Sequence, residues 1–259
     1  VIMKLNYTLK GKGSPILLLH PVGSSITFLE PLADLLSQHY QVMSMDLRGH
    51  GQSPRLSIDD ANPMFLDDFA KDVHENLQDA QFAPCAVVGF SFGGMIAQSL
   101  AFLYPQDVSF LIPCACSCTL PDASRPISAK RGTDAKKDGM TSVIQATVER
   151  WFTPEFRAKN GHLPSQEHLL SAHHGGWVHG WHAISNIDQL ARLPQIKQPT
   201  LCIAGEVDAS SSPDAVGLIA KGIPGAQLEI VKGAPHMLFI EQPKEVADLI
   251  HAFLKSHRF

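Results

Sequence analysis

The chain has 259 residues, of which 44% are hydrophobic and 18% charged, and its formal net charge is -4. That length supports one large core without staples, and an acidic balance with no Lys/Arg block excludes nucleic acid and anionic membrane as electrostatic partners. No run of 18 uninterrupted apolar residues occurs, and VIMKLNYTLK lacks a signal-peptide core, so a soluble, unexported, cytoplasmic protein is expected. Five cysteines, an odd number without zinc-like spacing, suit a reducing cytosol.

In chain order, residues 2–9 and 15–20 (PILLLH) read as strands separated by the turn Lys10-Gly11-Lys12-Gly13. The second strand ends in His20-Pro21-Val22-Gly23, and an amphipathic helix is expected from about Phe28 to His39. Gln41–Met45 is the next strand, running into Asp46-Leu47-Arg48-Gly49-His50-Gly51-Gln52-Ser53, a Gly-rich loop whose polar residues are read as structural, held by their own hydrogen bonds. Apolar residues at 65, 66, 69, 73 and 77 give a helix over Phe65–Gln81.

Residues 86–94 (AVVGFSFGG) read as strand, tight turn and helix start, with Ser91 at the centre of a G-x-S-x-G pattern. In such a turn the serine takes a strained backbone and projects its hydroxyl above the end of a buried strand. Taken alone, a serine there is equally a helix N-cap. Ser109–Cys116 is a further strand, and alternation puts Cys114, Cys116 and Cys118 on one face, read as core packing rather than a metal site. From Thr119 to Ile187 the texture turns polar and helical, with helices expected at Ser142–Trp151 and Ser165–Ala172. Residues 119–187 therefore read as a helical cap inserted into an α/β core of residues 1–118 and 188–259. The cap holds Arg125, Arg131, Arg150, Trp151, Trp177 and Trp181. Its histidines 173, 174, 179 and 182 have no carboxylate or cysteine at ligand spacing, so no metal and no cofactor is expected. Strand Gln198–Ala204 leads to Gly205-Glu206-Val207-Asp208, helix Pro213–Lys221 follows, strand Ala226–Val231 leads to His236, and Pro243–Leu254 is the last helix.

Val22, Ser91, Asp208 and His236 each fall just after a strand, and in a parallel sheet those positions share one edge. That coincidence favours a nucleophile over a helix cap at Ser91. Serine needs an adjacent base, and His236 is the candidate after the final strand. Asp208, preferred over Glu206 and Asp214, orients the imidazole, and the backbone N–H groups of Val22 and Phe92 meet the oxyanion.

With these motifs (HPVG, DLRGHGQS, GFSFGG, GEVD and PHMLFIEQP) the chain resembles the α/β-hydrolase superfamily, whose chain order is Ser, Asp, His. Within it, Arg150–Phe156 (RWFTPEF) is similar to a segment of the 3-oxoadipate enol-lactone hydrolases of the β-ketoadipate pathway, although Phe92 stands where many of those carry methionine. The resemblance implies a mostly parallel twisted sheet with helices on both faces under a helical cap. It also implies hydrolysis of an enol-lactone bearing a free carboxylate, with Arg125, Arg131 or Arg150 as the cation for that carboxylate and Trp151 on the pocket wall. A broader carboxylesterase or another lactonase on the same triad is the main alternative; a ligand-binding receptor on the same fold is a remote one. Dehalogenase and epoxide-hydrolase chemistry needs a carboxylate at position 91, where this chain has serine.

Overall fold

The computed structural model describes residues 2–59 and 61–259. Strands β1 (Tyr7–Lys10), β2 (Pro15–Leu19), β3 (Gln41–Met45), β4 (Cys85–Phe90), β5 (Val108–Cys114), β6 (Leu201–Gly205) and β7 (Gln227–Val231) form one sheet in the order β1-β3-β2-β4-β5-β6-β7. Every pairing is parallel except β1 with β3. β2, β4 and β6 are buried almost throughout, which is why they read as continuous apolar runs: a strand covered on both faces has no polar side to alternate with.

Helices α1 (Ile26–Leu36), α2 (Leu66–Asp79) and α3 (Phe92–Leu103) precede or follow β3 to β5. After β5 come α4 (Arg125–Asp138), α5 (Ile144–Trp151), α6 (Pro154–Ala158), α7 (Leu163–Ser171) and α8 (Gly175–Ser185). The chain then returns to β6, α9 (Pro213–Gly222), β7, α10 (Leu238–Glu241) and α11 (Pro243–Ser256). α1 packs with α11, and α2 with α3, around the sheet. The helical stretch α4–α8 leaves and re-enters the core at one place, where Thr119 and Asp188 form an isolated antiparallel bridge. Among the described residues no helix is long and apolar enough to cross a membrane.

Three sequence expectations need correction. The first strand is not residues 2–9 but Tyr7–Lys10. Before it, the Leu5 and Asn6 N–H groups donate to Asn76 Oδ1 and Ser53 Oγ at 2.9 Å, so side chains take the place of a ladder. The strand expected to run to Cys116 ends at Cys114, because Ala115 turns into positive φ (47°), so the three cysteines do not share one strand face. Within 119–187, α4, α6 and α8 join the two expected helices. α4 is hidden in the sequence because its buried face is Ser128, Gly132 and Ala135, small residues that let α8 lie close: a Cβ on Gly132 would sit 3.2 Å from Trp181 Cβ.

Candidate active site

Ser91 sits between β4 and α3 with φ 51° and ψ -114°, outside the regions open to most L-residues. The turn is held by its surroundings. The Ser91 N–H donates to the Cys114 carbonyl at 2.8 Å, a Cβ on Gly89 would strike the Gly93 carbonyl, and one on Gly93 would strike the Leu19 carbonyl. Helix α3 starts too close to β4 for a side chain at Gly89, and too close to the end of β2 for one at Gly93.

His236 Nε2 lies 2.9 Å from Ser91 Oγ, and its Nδ1 lies 2.8 Å from Asp208 Oδ2. All three residues are buried. Because the Asp208 carboxylate only accepts, Nδ1 carries the proton, leaving the Nε2 lone pair to accept from the serine hydroxyl. Asp208 is itself fixed, its Oδ1 accepting from the N–H groups of Ser210 and Ser211 at 2.7 and 2.9 Å. The rival carboxylates lie elsewhere: Glu206 accepts from the Gly233 N–H at 2.8 Å, and Asp214 stands in the first turn of α9.

The loop after β2 approaches the same point. Val22 lines the cavity above Ser91, and its N–H has no acceptor among the described residues. Phe92, as the first residue of α3, presents an N–H that its helix cannot satisfy. The loop is braced by His20, whose Nδ1–H donates to the Pro21 carbonyl at 2.7 Å while Nε2 accepts from the Leu47 N–H at 3.0 Å. Burial lowers the pKa of His20, which favours the neutral ring that this bracing requires.

Above the serine lies a cavity of about 580 Å³ whose lining includes Ser91, His236, Trp151, Trp181 and Ile184. Arg131 is the one arginine or lysine among its lining residues. Its guanidinium stacks 4.5 Å from the Trp181 ring centroid, has no carboxylate partner among the described residues, and has its pKa lowered by burial. Arg150 does not line the cavity but feels the charge of Arg131. Burial and then the charge of Arg131 bring the Arg150 pKa down to about 10, and it donates to the Ala146 carbonyl and to Thr147 Oγ1. Arg125 turns away to the Ser185 carbonyl at 3.0 Å and to Asp122.

Residues 16–249 match the alpha/beta hydrolase family. The chain belongs to the α/β hydrolase family. A 3-oxoadipate enol-lactonase of Acinetobacter baylyi is 26% identical over 91% of this chain and 86% of its own length. A pimeloyl-[acyl-carrier protein] methyl ester esterase of Legionella pneumophila is 24% identical over 98% of this chain and 100% of its own. The crystal structure of the enol-lactonase from Burkholderia xenovorans superposes with a TM-score of 0.90 at 24% identity, covering 97% of this chain and 96% of that one.

In this α/β hydrolase the DLRGHGQS loop is structural, as expected. Asp46 accepts from the N–H groups of Ile26 and Gln52 and from Asn6 Nδ2 at 2.8–3.0 Å, and Arg48 pairs with Asp72. Two features escaped the sequence. First, the Gly- and His-rich stretch 175–185 is a helix laid directly over the site: a Cβ on Gly180 would lie 2.5 Å from Val22 Cγ2 and 3.6 Å from Phe92 Cε1. His179 ties that helix down, contacting the Met64 N–H and the Ser57 carbonyl at 3.2 and 2.9 Å. Second, the RWFTP segment is clamped to the chain that follows His236. The Met237 N–H donates to the Trp151 carbonyl at 3.0 Å, and the Thr153 N–H and Oγ1–H donate to the two Glu241 carboxylate oxygens at 2.8 Å each.

Proposed function

We propose that this hydrolase cleaves a carboxylic ester or lactone through an acyl-enzyme on Ser91, and that an enol-lactone with a free carboxylate, 3-oxoadipate enol-lactone, is the substrate the site suits best. The unbroken hydrogen-bond chain from Ser91 Oγ through His236 to Asp208 carries this proposal, and the unpaired Arg131 in the cavity above supports the carboxylate. Residues 119–187 serve as the cap that encloses the reaction, and the five free, buried cysteines support a cytosolic setting.

His236 Nε2 takes the Ser91 proton as Oγ attacks the lactone carbonyl, and Asp208 stabilises the imidazolium that forms. The oxyanion accepts from the Val22 and Phe92 N–H groups; losing one such donor costs about a hundredfold or more in rate. Collapse of the tetrahedral adduct breaks the ring C–O bond, the enol oxygen receives the proton from His236, and the enol tautomerises to the ketone. Water then attacks the acyl-enzyme with His236 again as base, releasing the second carboxylate and Ser91. Trp151 forms a wall of the pocket, and Arg131 holds the spectator carboxylate.

The test is kcat/KM on 3-oxoadipate enol-lactone beside simple aryl esters. A clear preference for the lactone is expected. Efficient aryl ester cleavage with no lactone turnover overturns the substrate and leaves a broader esterase, which the methyl ester esterase relative favours.

A further inference from the structure

The cavity is larger than the proposed substrate needs. A six-carbon lactone acid has about ten non-hydrogen atoms and, at no more than the ~30 Å³ a water molecule takes in the liquid, fills at most ~300 Å³. The cavity holds about 580 Å³, within the range of roughly 300–1,000 Å³ that suits ligands of drug size.

The shape of the surplus can be read along α4. Ser124, Ile127, Ser128 and Arg131 all line the cavity, at i, i+3, i+4 and i+7 along one helix face. Seven residues at 1.5 Å make this stripe about 10 Å long, with Arg131 at one end and Ile127 towards the other, 61% exposed. Leu120 and Pro121 lead into α4 on the same wall, and α9 supplies Ala215 and Leu218 across the opening, Leu218 being 42% exposed. A single exposed aliphatic residue needs no explanation. Here two from different helices border one mouth that is continuous with the nucleophile, and the hydroxyls beside them, Ser210 and Ser212, are open to water.

From this we infer that the enzyme takes esters or lactones which carry, besides the group held at Arg131, an unbranched apolar arm leaving the cavity between α4 and α9 over Ile127 and Leu218. At roughly 1.3 Å of advance per C–C bond, the 10 Å stripe covers about eight carbons. The inference rests on Ser91 acting as proposed above, since the arm is useful only to a substrate that reaches it.

Two substrate series test it, each with active sites counted by a fluorophosphonate. p-Nitrophenyl alkanoates from C2 to C10 lengthen the acyl side, and γ-alkyl-γ-lactones with side chains of one to eight carbons lengthen the alcohol side. In at least one series kcat/KM should rise two- to fourfold per methylene while the chain is buried, and level off near eight carbons as it meets water. Ile127→Asp with Leu218→Asp should lower the long-to-short ratio at least tenfold; both side chains are exposed, so the variant is expected to fold. Flat profiles in both series from enzyme that labels at Ser91, or a ratio unchanged in the double variant, overturn this inference alone. Failure to label together with no turnover on any ester overturns the proposed hydrolysis and the inference with it.

Discussion

Arg131→Met is the substitution that separates a carboxylate receptor from a merely structural arginine. The side chain has no acidic partner among the described residues, lies over Trp181, and shares its surroundings with the charge of Arg150. Two guanidinium groups that feel each other's charge, neither with a carboxylate partner among the described residues, leave a positive potential for an anion to complete. A charge-assisted hydrogen bond is worth about 1.5–3 kcal/mol, and a two-pronged grip on a carboxylate at the low end gives ~3 kcal/mol, or about a hundredfold. Methionine keeps the length of the stem and removes the charge. The assay is the ratio of kcat/KM for 3-oxoadipate enol-lactone to that for the neutral p-nitrophenyl acetate. Arg131→Met should lower this ratio about a hundredfold, mainly through KM, and Arg131→Lys should restore part of it, since an ammonium supplies the charge without the fork. An equal fall on both substrates, or no fall on the lactone, refutes the assignment.

Other changes probe the supports of the site. Glu241→Ala removes the acceptor for two hydrogen bonds from Thr153 beside the His236 loop; a loss of ~2 kcal/mol, or 4–8 °C in Tm, is expected together with a lower kcat, and Glu241→Gln should recover most of both. A melt unchanged in the alanine variant contradicts the clamp. Gly89→Ala forces a Cβ into the Gly93 carbonyl and should cost roughly 3 kcal/mol with loss of turnover; wild-type urea midpoint and rate speak against the close crossing. His50 is held neutral inside the fold, its pKa lowered to about 3 by burial and then by His20, with His168 adding to the shift. Its folded value lies below the unfolded 6.5, so its stability contribution is complete above pH 6.5 and is lost as pH falls towards 3. At pH 5 that amounts to about 2 kcal/mol, visible as a urea midpoint that drops between pH 7.5 and 5 less steeply in His50→Asn than in the native chain. Parallel slopes contradict it.

Much of the fold was legible because strands covered on both faces, β2, β4 and β6, write themselves as apolar runs, and these three, like the mostly exposed β7, stop at Gly- or Pro-bearing turns. Positions 22, 91, 208 and 236 follow directly from those stops. The cap was harder. α4 buries small residues instead of an apolar stripe, and α8 uses glycines, which disfavour a helix by about 1 kcal/mol each, so that it can lie on the Gly49 carbonyl and on Val22. In both helices the demand for close approach overrides local preference, and a single sequence does not record which neighbour makes that demand. The order among the three arginines was hidden for the same reason: Arg125 finds the Ser185 carbonyl only after α8 has docked. The first strand was overextended because Asn76 and Ser53, far along the chain, supply the acceptors that end it.

The central claim is that Ser91 is a nucleophile made reactive by His236. Treatment with a fluorophosphonate, followed by intact-mass measurement and peptide mapping, tests it directly. One adduct per chain, located on Ser91, absent from Ser91→Ala and formed at least a hundredfold more slowly in His236→Ala, is the predicted result. A native chain that stays unlabelled, carries the adduct elsewhere, or reacts at the same rate without the imidazole would contradict it.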